Sequence, residues 1–510
     1  MLFNSYIFVF LFLPLSLAGY YAAGRKLGKK AAQVWLAAMS LWFYGSFSFG
    51  CLAVLAGSVL FNYMICLKMN GAGSSAIGSA IDSAWSGNWN GTGRKAGKVL
   101  LVTGIAGNLI LLAFFKYMNF FIGNLNAVSG KDLPFLKLLL PVGISFFTFQ
   151  QISWLVDNYR GEIRDCGFLE YLLYITYFPK LAEGPIVRHE ELLPQFAQTG
   201  EKRFDGEGFA RGICLFIFGM FKKVILADTF GGAVDYGYGN LEFMHGWDAL
   251  LLLVFYSLQL YFDFSGYCDM GRGISRMFGI ELPVNFNSPY KGKNIIDFWK
   301  RWHITLNRFF TKYVYIPLGG NREGRGKMYR NLLFVFLLSG LWHGAGWNFI
   351  LWGMMHGVLY VFTRMWQQRK GYRPAGKASG MIGMLLTFLY VSVAWVYFRA
   401  DGIAQGNQLL GLIFSHDFVR VNKNLAGYFN LDEFWYLIKL LRLDRWEFGH
   451  YILMAVMTLV SLVLVFFGKN AAQVAEKIKL NVWNAVWMAG LFLWCVLTFS
   501  NVSTFLYFNF

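Results

Sequence analysis

Three histidines sit where an apolar chain seldom keeps one. Residues 339–357 read SGLWHGAGWNFILWGMMHG and carry His343 and His356, while residues 298–313 read FWKRWHITLNRFFTKY and carry His303. His343 lies thirteen residues past Arg330, roughly 20 Å of helix, which places it near the middle of a membrane. Imidazole is the side chain whose charge changes near neutral pH, so a ring at that depth, walled by Trp342, Trp347 and Trp352, can take a proton from a hydroxyl. A hydrogen-bonded packing histidine fits the same residues, with Gly340/Gly344 and Gly353/Gly357 as small-residue contacts between helices. Both readings stand for His343; packing is the better fit for His356.

A second polar group is carried by residues 259–270, QLYFDFSGYCDM, at the end of an apolar run. Asp263 and Asp269 are six residues apart, about 240° around a helix, so they do not form one acid/base pair on a straight helix. One of them could orient a histidine or meet a basic residue; a carboxylate satisfied by backbone or by Arg272 is the structural alternative. Several catalytic devices are excluded: there is no G-x-S-x-G elbow, no H-E-x-x-H and no G-x-x-x-x-G-K-[ST] phosphate loop. The six cysteines are scattered without a C-x-x-C pair, which indicates neither a disulfide framework nor a metal site.

The elements that must hold these residues are apolar runs recurring from Leu2 to Phe510. Residues 6–23 are followed, not preceded, by the basic Arg25, Lys26, Lys29 and Lys30, which reads as a retained first helix ending in the cytoplasm rather than a cleaved signal. Residues 31–65 are apolar enough for two short spans turning near Gly45–Gly50, and residues 70–90, rich in Gly and Ser, read as a flexible linker. Among the later spans is 136–156. The pattern predicts an all-α polytopic membrane protein of roughly eleven transmembrane helices, with re-entrant and interfacial helices around a central tunnel. Residues 291–330 hold ten Lys or Arg, with Trp299, Trp302, Leu306, Phe309 and Tyr313 at helical spacing, which predicts one interfacial amphipathic helix. Lys180, Glu183, Arg188 and His189, in a proline-broken stretch, are expected at a mouth or interface.

Composition agrees. Of 510 residues 56% are hydrophobic and 15% charged, against about 25% charged in soluble domains. A formal charge of +18 would suggest nucleic acid in a soluble chain, but here it falls in short clusters between apolar runs, where cytoplasmic retention explains it. No nucleic-acid partner is therefore expected. Residues 1–510 read as a single integral membrane domain, with a core over 140–400 and C-terminal helices and tail over 401–510.

Together these stretches become specific. LPVGISFFTFQ (140–150), FPKLAEGPIVR (178–188), YFDFSGYCDM (261–270), LPVNFNSPY (282–290), FWKRWHITLNRFFTKYVYIPLGGNR (298–322) and LWHGAGWNFILWGMMHG (341–357) closely resemble the membrane-bound O-acyltransferase family, in its alginate O-acetyltransferase-like branch. That branch includes transferases for peptidoglycan and other surface polymers. The resemblance implies an enzyme of the bacterial cytoplasmic (inner) membrane that moves an acyl group, most simply acetyl from acetyl-CoA, from a cytoplasmic thioester towards hydroxyls of an extracytoplasmic polysaccharide. It implies no bound cofactor or metal, and a partner acyltransferase outside the membrane that completes the transfer. The W-H-G histidine maps onto His343 as general base, and the R-W-H histidine onto His303, which positions the thioester or stabilises the oxyanion. Trp342, Trp347, Trp352, Asp263, Asp269, Asn348 and His356 would line the tunnel, and Lys300, Arg301 and Arg308 would meet the phosphates of coenzyme A. The chain ends FLYFNF, resembling an aromatic-tyrosine tail of this branch, which makes Tyr507 a candidate acyl relay, an aromatic girdle residue being the alternative. Lys180 and Glu183 depart from the uncharged residues expected there, which bears on substrate identity. D-alanyl transfer to teichoic acid is the rival within the family, though those enzymes are generally shorter. A transporter or polysaccharide-export subunit is the rival outside it.

Overall fold

A computed structural model describes residues 1–74, 91–163, 167–199, 204–369, 371, 376–415, 417–440, 442, 448–499 and 505–506. Residues 75–90 of the Gly/Ser-rich stretch and Tyr507 lie outside the described residues. The described chain is helical, without a strand. Six helices are long and apolar enough to cross a membrane: Phe8–Leu27, Phe49–Asn70, Lys95–Ser129, Gly246–Met277, Ala378–Arg399 and Gly449–Phe466. Shorter or more polar helices complete an all-α polytopic membrane fold, among them Lys29–Gly45, Ile144–Tyr159, Gly206–Met220, Arg325–His343, Trp347–Gln367 and Val482–Leu497.

The chain divides into two compact units. The first comprises Met1–Phe3, Ile7–Phe209 and Ile274–Pro283. Its opening hairpin turns at Gly28, whose φ of 86° lets one residue end a helix and begin the next. Buried amides link helices here: Asn62 and Asn108 exchange hydrogen bonds of 3.2 and 2.6 Å between helices, and Gln151 donates to Ser58 at 2.7 Å while accepting from Tyr171 at 2.6 Å. The span expected over 136–156 begins only at Ile144, because Pro141 and Gly143, at φ 70°, cannot continue a helix backwards. Lys180 and Glu183 are not at a mouth: both are fully buried, with Lys180 Nζ donating to Gln150 Oε1 at 2.7 Å. His189 is likewise buried, 3.1 Å from Asp157.

The second unit comprises Asn4–Tyr6, Ala210–Gly273 and Val284–Phe510. Its pillar is the Gly246–Met277 helix, buried over most of its apolar length. The Gly206–Met220 helix crosses it backbone to backbone; a Cβ on Gly219 would meet Gly266 O at 2.7 Å, and one on Gly273 would meet Gly212 O at 2.6 Å. Beyond that crossing, Phe221–Ala227 widens into a π-helical turn that aims two consecutive lysines at the pillar. Lys222 meets Asp269 at 2.6 Å, and Lys223 meets Asp263 at 2.7 Å and Asp228 at 2.8 Å. The carboxylates are thus answered by lysines, neither by Arg272 nor by a histidine.

The basic stretch 291–330 is not one helix. It breaks into Ile295–Trp299, capped by Asn294, and Ile304–Phe310, with His303 between them at φ 46°, ψ 53°. The apolar stripe survives the break, since Trp299, Trp302, Leu306 and Phe309 are all buried. Next, Arg325–His343, Trp347–Gln367 and Lys377–Arg399 run up, down and up. The first two touch through glycine: a Cβ on Gly353 would meet Phe336 O at 2.5 Å and Gly340 Cα at 3.1 Å. The small-residue contacts and a chemical role for the neighbouring histidine are therefore compatible, because the glycines draw the helices together beneath it.

Candidate active site

His343 is the last residue of its helix. Gly344 turns extended at φ −157°, Trp347 begins the return helix, and the three residues between leave the imidazole at the top of the hairpin. The ring is 2% exposed. Its centroid lies 5.0 Å from Trp352 at 85°, 5.2 Å from Phe398 at 70° and 4.8 Å from Trp342. These edge-to-face contacts fix the orientation of a planar ring. Trp352 is itself stacked on Trp395 at 5.4 Å and 19°, so the wall is rigid. Trp347, the first residue of the return helix, is 58% exposed.

His303 enters the same enclosure from the broken basic stretch. It is fully buried, 6.5 Å from His343 between ring centroids and 6.1 Å from Trp342, with the edge of Phe264 at 4.9 Å and 90°. The structure therefore brings together the two histidines, Trp342 and Trp352. His356 lies one helical turn beyond Trp352, 5.0 Å from that ring, and its Nδ1 accepts from Trp299 Nε1 at 3.3 Å. It belongs to the aromatic packing behind the enclosure.

A cavity of about 770 Å³ adjoins the hairpin turn, lined by Ala345, Gly346, Asn348, Phe349, Gln259, Asp263, Arg399 and Leu506 among others. Asn348 donates to the carbonyls of Tyr397 and Ala400 at 3.1 and 2.8 Å, tying the start of one helix to the end of the next. Asp263 does line this space, but its second oxygen accepts the Leu506 N–H at 3.1 Å, and Phe505 is buried against Tyr267 at 4.9 Å beneath Lys223 Nζ at 4.6 Å. The residues before Tyr507 are thus anchored at the cavity. Asp269 does not line it. Of the expected donor-binding residues, Lys300 is exposed, Arg301 is tied to Asp297 at 2.8 Å, and Arg308 is half-buried on the second short helix.

Sequence reasoning missed Lys222 and Lys223, for which two adjacent lysines inside an apolar run were the available signal. It also gave no role to Asn285, whose Oδ1 faces His303 at the break and accepts from Thr305 just after it.

The model of the membrane-bound O-acyltransferase family matches residues 30–400. The chain is 36% identical to a peptidoglycan O-acetyltransferase of Helicobacter pylori, over 100% of this chain and 98% of that protein. It is also 36% identical to a probable alginate O-acetylase of Pseudomonas aeruginosa, over 81% and 75%. A teichoic acid D-alanyltransferase of Bacillus subtilis is 30% identical over 51% of this chain and 69% of its own length.

Proposed function

The chain belongs to the membrane-bound O-acyltransferase family, and from that premise we propose that it carries acetyl from cytoplasmic acetyl-CoA towards hydroxyls of an extracytoplasmic polysaccharide. It is a multi-pass membrane O-acyltransferase. The observation that carries the reading is the convergence of His303 and His343 in one aromatic enclosure, next to a hairpin turn whose Ala345 and Gly346 line a cavity.

In the proposed reaction a hydroxyl oxygen attacks the thioester carbonyl. A C–O bond forms, the C–S bond breaks, and His343 takes the hydroxyl proton and returns it to the leaving sulfur as a thiol. His303 positions the thioester or the charge developing on its oxygen. Lys300, Arg301 and Arg308 meet the donor's phosphates, and Tyr507 takes the acyl group transiently, dividing a membrane-crossing transfer into two steps. An extracytoplasmic partner then delivers it to the polymer.

Charge supports this orientation. Arg325, Lys327 and Arg330 mark one end of the helix hairpin, with Arg364 and Arg369 at the same end of the return helix, whereas His343 and the cavity lie at the other. Basic ends remain in the cytoplasm, so the hairpin turn after His343 lies towards the opposite side, in the inner membrane of a bacterium. Peptidoglycan ranks ahead of alginate as acceptor because the likeness to the Helicobacter protein spans both chains. Acetyl ranks ahead of D-alanyl because the D-alanyltransferase likeness covers half of this chain.

Sealed vesicles of defined sidedness, given radiolabelled acetyl-CoA on the face bearing Arg325–Arg330, test the proposal. Free coenzyme A should appear on that face and O-acetyl label on hydroxyls of the opposite face. Intact acetyl-CoA with a folded protein would favour another donor or a transport role.

A further inference from the structure

Asn285 ties the segment 282–290 to the segment 298–322 at His303. It is 1% exposed, and its Oδ1 lies 3.1 Å from His303 Nδ1, 3.2 Å from the Thr305 backbone nitrogen and 2.9 Å from Thr305 Oγ1. Its carbonyl accepts the Ile304 N–H at 2.9 Å, and its Nδ2 points to Cys268 Sγ at 3.4 Å. A backbone N–H can only donate, so the atom facing Thr305 must be the amide oxygen, which fixes the orientation of the asparagine. An imidazole nitrogen facing that same oxygen must carry hydrogen. His303 Nδ1–H therefore donates to Asn285, and in the neutral ring the lone pair falls on Nε2.

The backbone enforces the same arrangement. His303 occupies the left-handed region, at φ 46°, where a side-chain-bearing residue is uncommon and strained. The hydrogen bonds from His303, Ile304 and Thr305 to Asn285 hold it there. Phe264, Trp342 and His343 surround the rest of the ring.

We infer that Asn285 is a positioning residue of the acyl-transfer site: it holds His303 as the Nδ1–H tautomer, so that His303 meets substrate with an acceptor nitrogen. The inference rests on the O-acyltransferase reading and alters one part of it. His303 takes a hydrogen bond from a substrate O–H or N–H and does not donate one to the acyl oxygen.

The test compares Asn285→Leu, Asn285→Asp and Thr305→Val in nanodiscs with acetyl-CoA. Asn285→Leu removes the acceptor at similar volume, and turnover should fall on the order of 10²-fold. Asn285→Asp keeps an acceptor for Nδ1–H and should stay within about three-fold of wild type, as should Thr305→Val, which removes a different bond to the same oxygen. A fall in kcat at constant KM places the acyl acceptor's hydroxyl on His303; a rise in KM places an N–H of the thioester arm there. Equal losses in Asn285→Leu and Thr305→Val, or none in Asn285→Leu, would overturn the inference. Should Asn285→Leu fail to fold, Asn285→Asp decides, with retained turnover supporting the inference and its loss overturning it. The ¹⁵N shifts of the seven histidines give a reading independent of activity. The signal that disappears in His303→Gln should report Nδ1–H, and an Nε2–H signal there would overturn the inference even in an inactive preparation, whereas an inactive protein with Nδ1–H would count against the enzymatic reading alone.

Discussion

Two buried polar regions of the second unit solve the same problem differently. Around the pillar helix, Lys222 and Lys223 meet Asp269, Asp263 and Asp228 at 2.6–2.8 Å, charge against charge. In the hairpin enclosure, His303 and His343 are held by ring edges and by the amide of Asn285. The first arrangement leaves those carboxylates and ammoniums occupied and suits anchoring, including the tail through Asp263. The second orients two imidazoles through ring edges and one neutral amide, which suits proton transfer. Burial alone does not separate the two; the kind of partner does.

The comparison would break if the lysine cluster proved dispensable. Lys223→Met leaves two buried carboxylates without their ammonium and should cost about 3–5 kcal/mol, read as a large drop in unfolding temperature in detergent. Lys222→Met frees only Asp269 and should cost less, on the order of 1–3 kcal/mol by the same measurement. Lys300→Gln together with Arg308→Gln tests whether the basic stretch meets phosphate. The apparent KM for acetyl-CoA should rise roughly two- to ten-fold, the worth of two surface ion pairs at up to about 1 kcal/mol each, while an unchanged KM would leave these residues as orientation signals. Trp347→Ala should change turnover and stability least, within about 0.5 kcal/mol, because the ring is exposed.

Much of this was legible in the sequence where periodicity or a motif carried it. Of the stripe Trp299, Trp302, Leu306, Phe309 and Tyr313, the first four are buried as the spacing predicts and Tyr313 is half-buried. The break at His303 was not legible, because the acceptor that stabilises it, Asn285, lies eighteen residues away in the chain. Asp263 and Asp269 stood out as costly to bury, yet their lysines did not, since a π-helical turn has no period readable from composition. Lys180 and Glu183 looked peripheral because charge normally seeks water; Gln150, contributed by another helix, is what admits Lys180 to the interior. Trp347 followed the histidine motif closely enough to suggest a wall, yet as the first residue of the return helix it is 58% exposed.

The most direct test of the account sets His343→Ala beside His356→Gln in nanodiscs, following coenzyme A release from radiolabelled acetyl-CoA with unfolding temperature as control. Both rings are buried and both pack against Trp352, but only His343 shares the enclosure with His303. The account predicts that His343→Ala abolishes release in a folded protein while His356→Gln retains it within about ten-fold. Undiminished release by His343→Ala would contradict it.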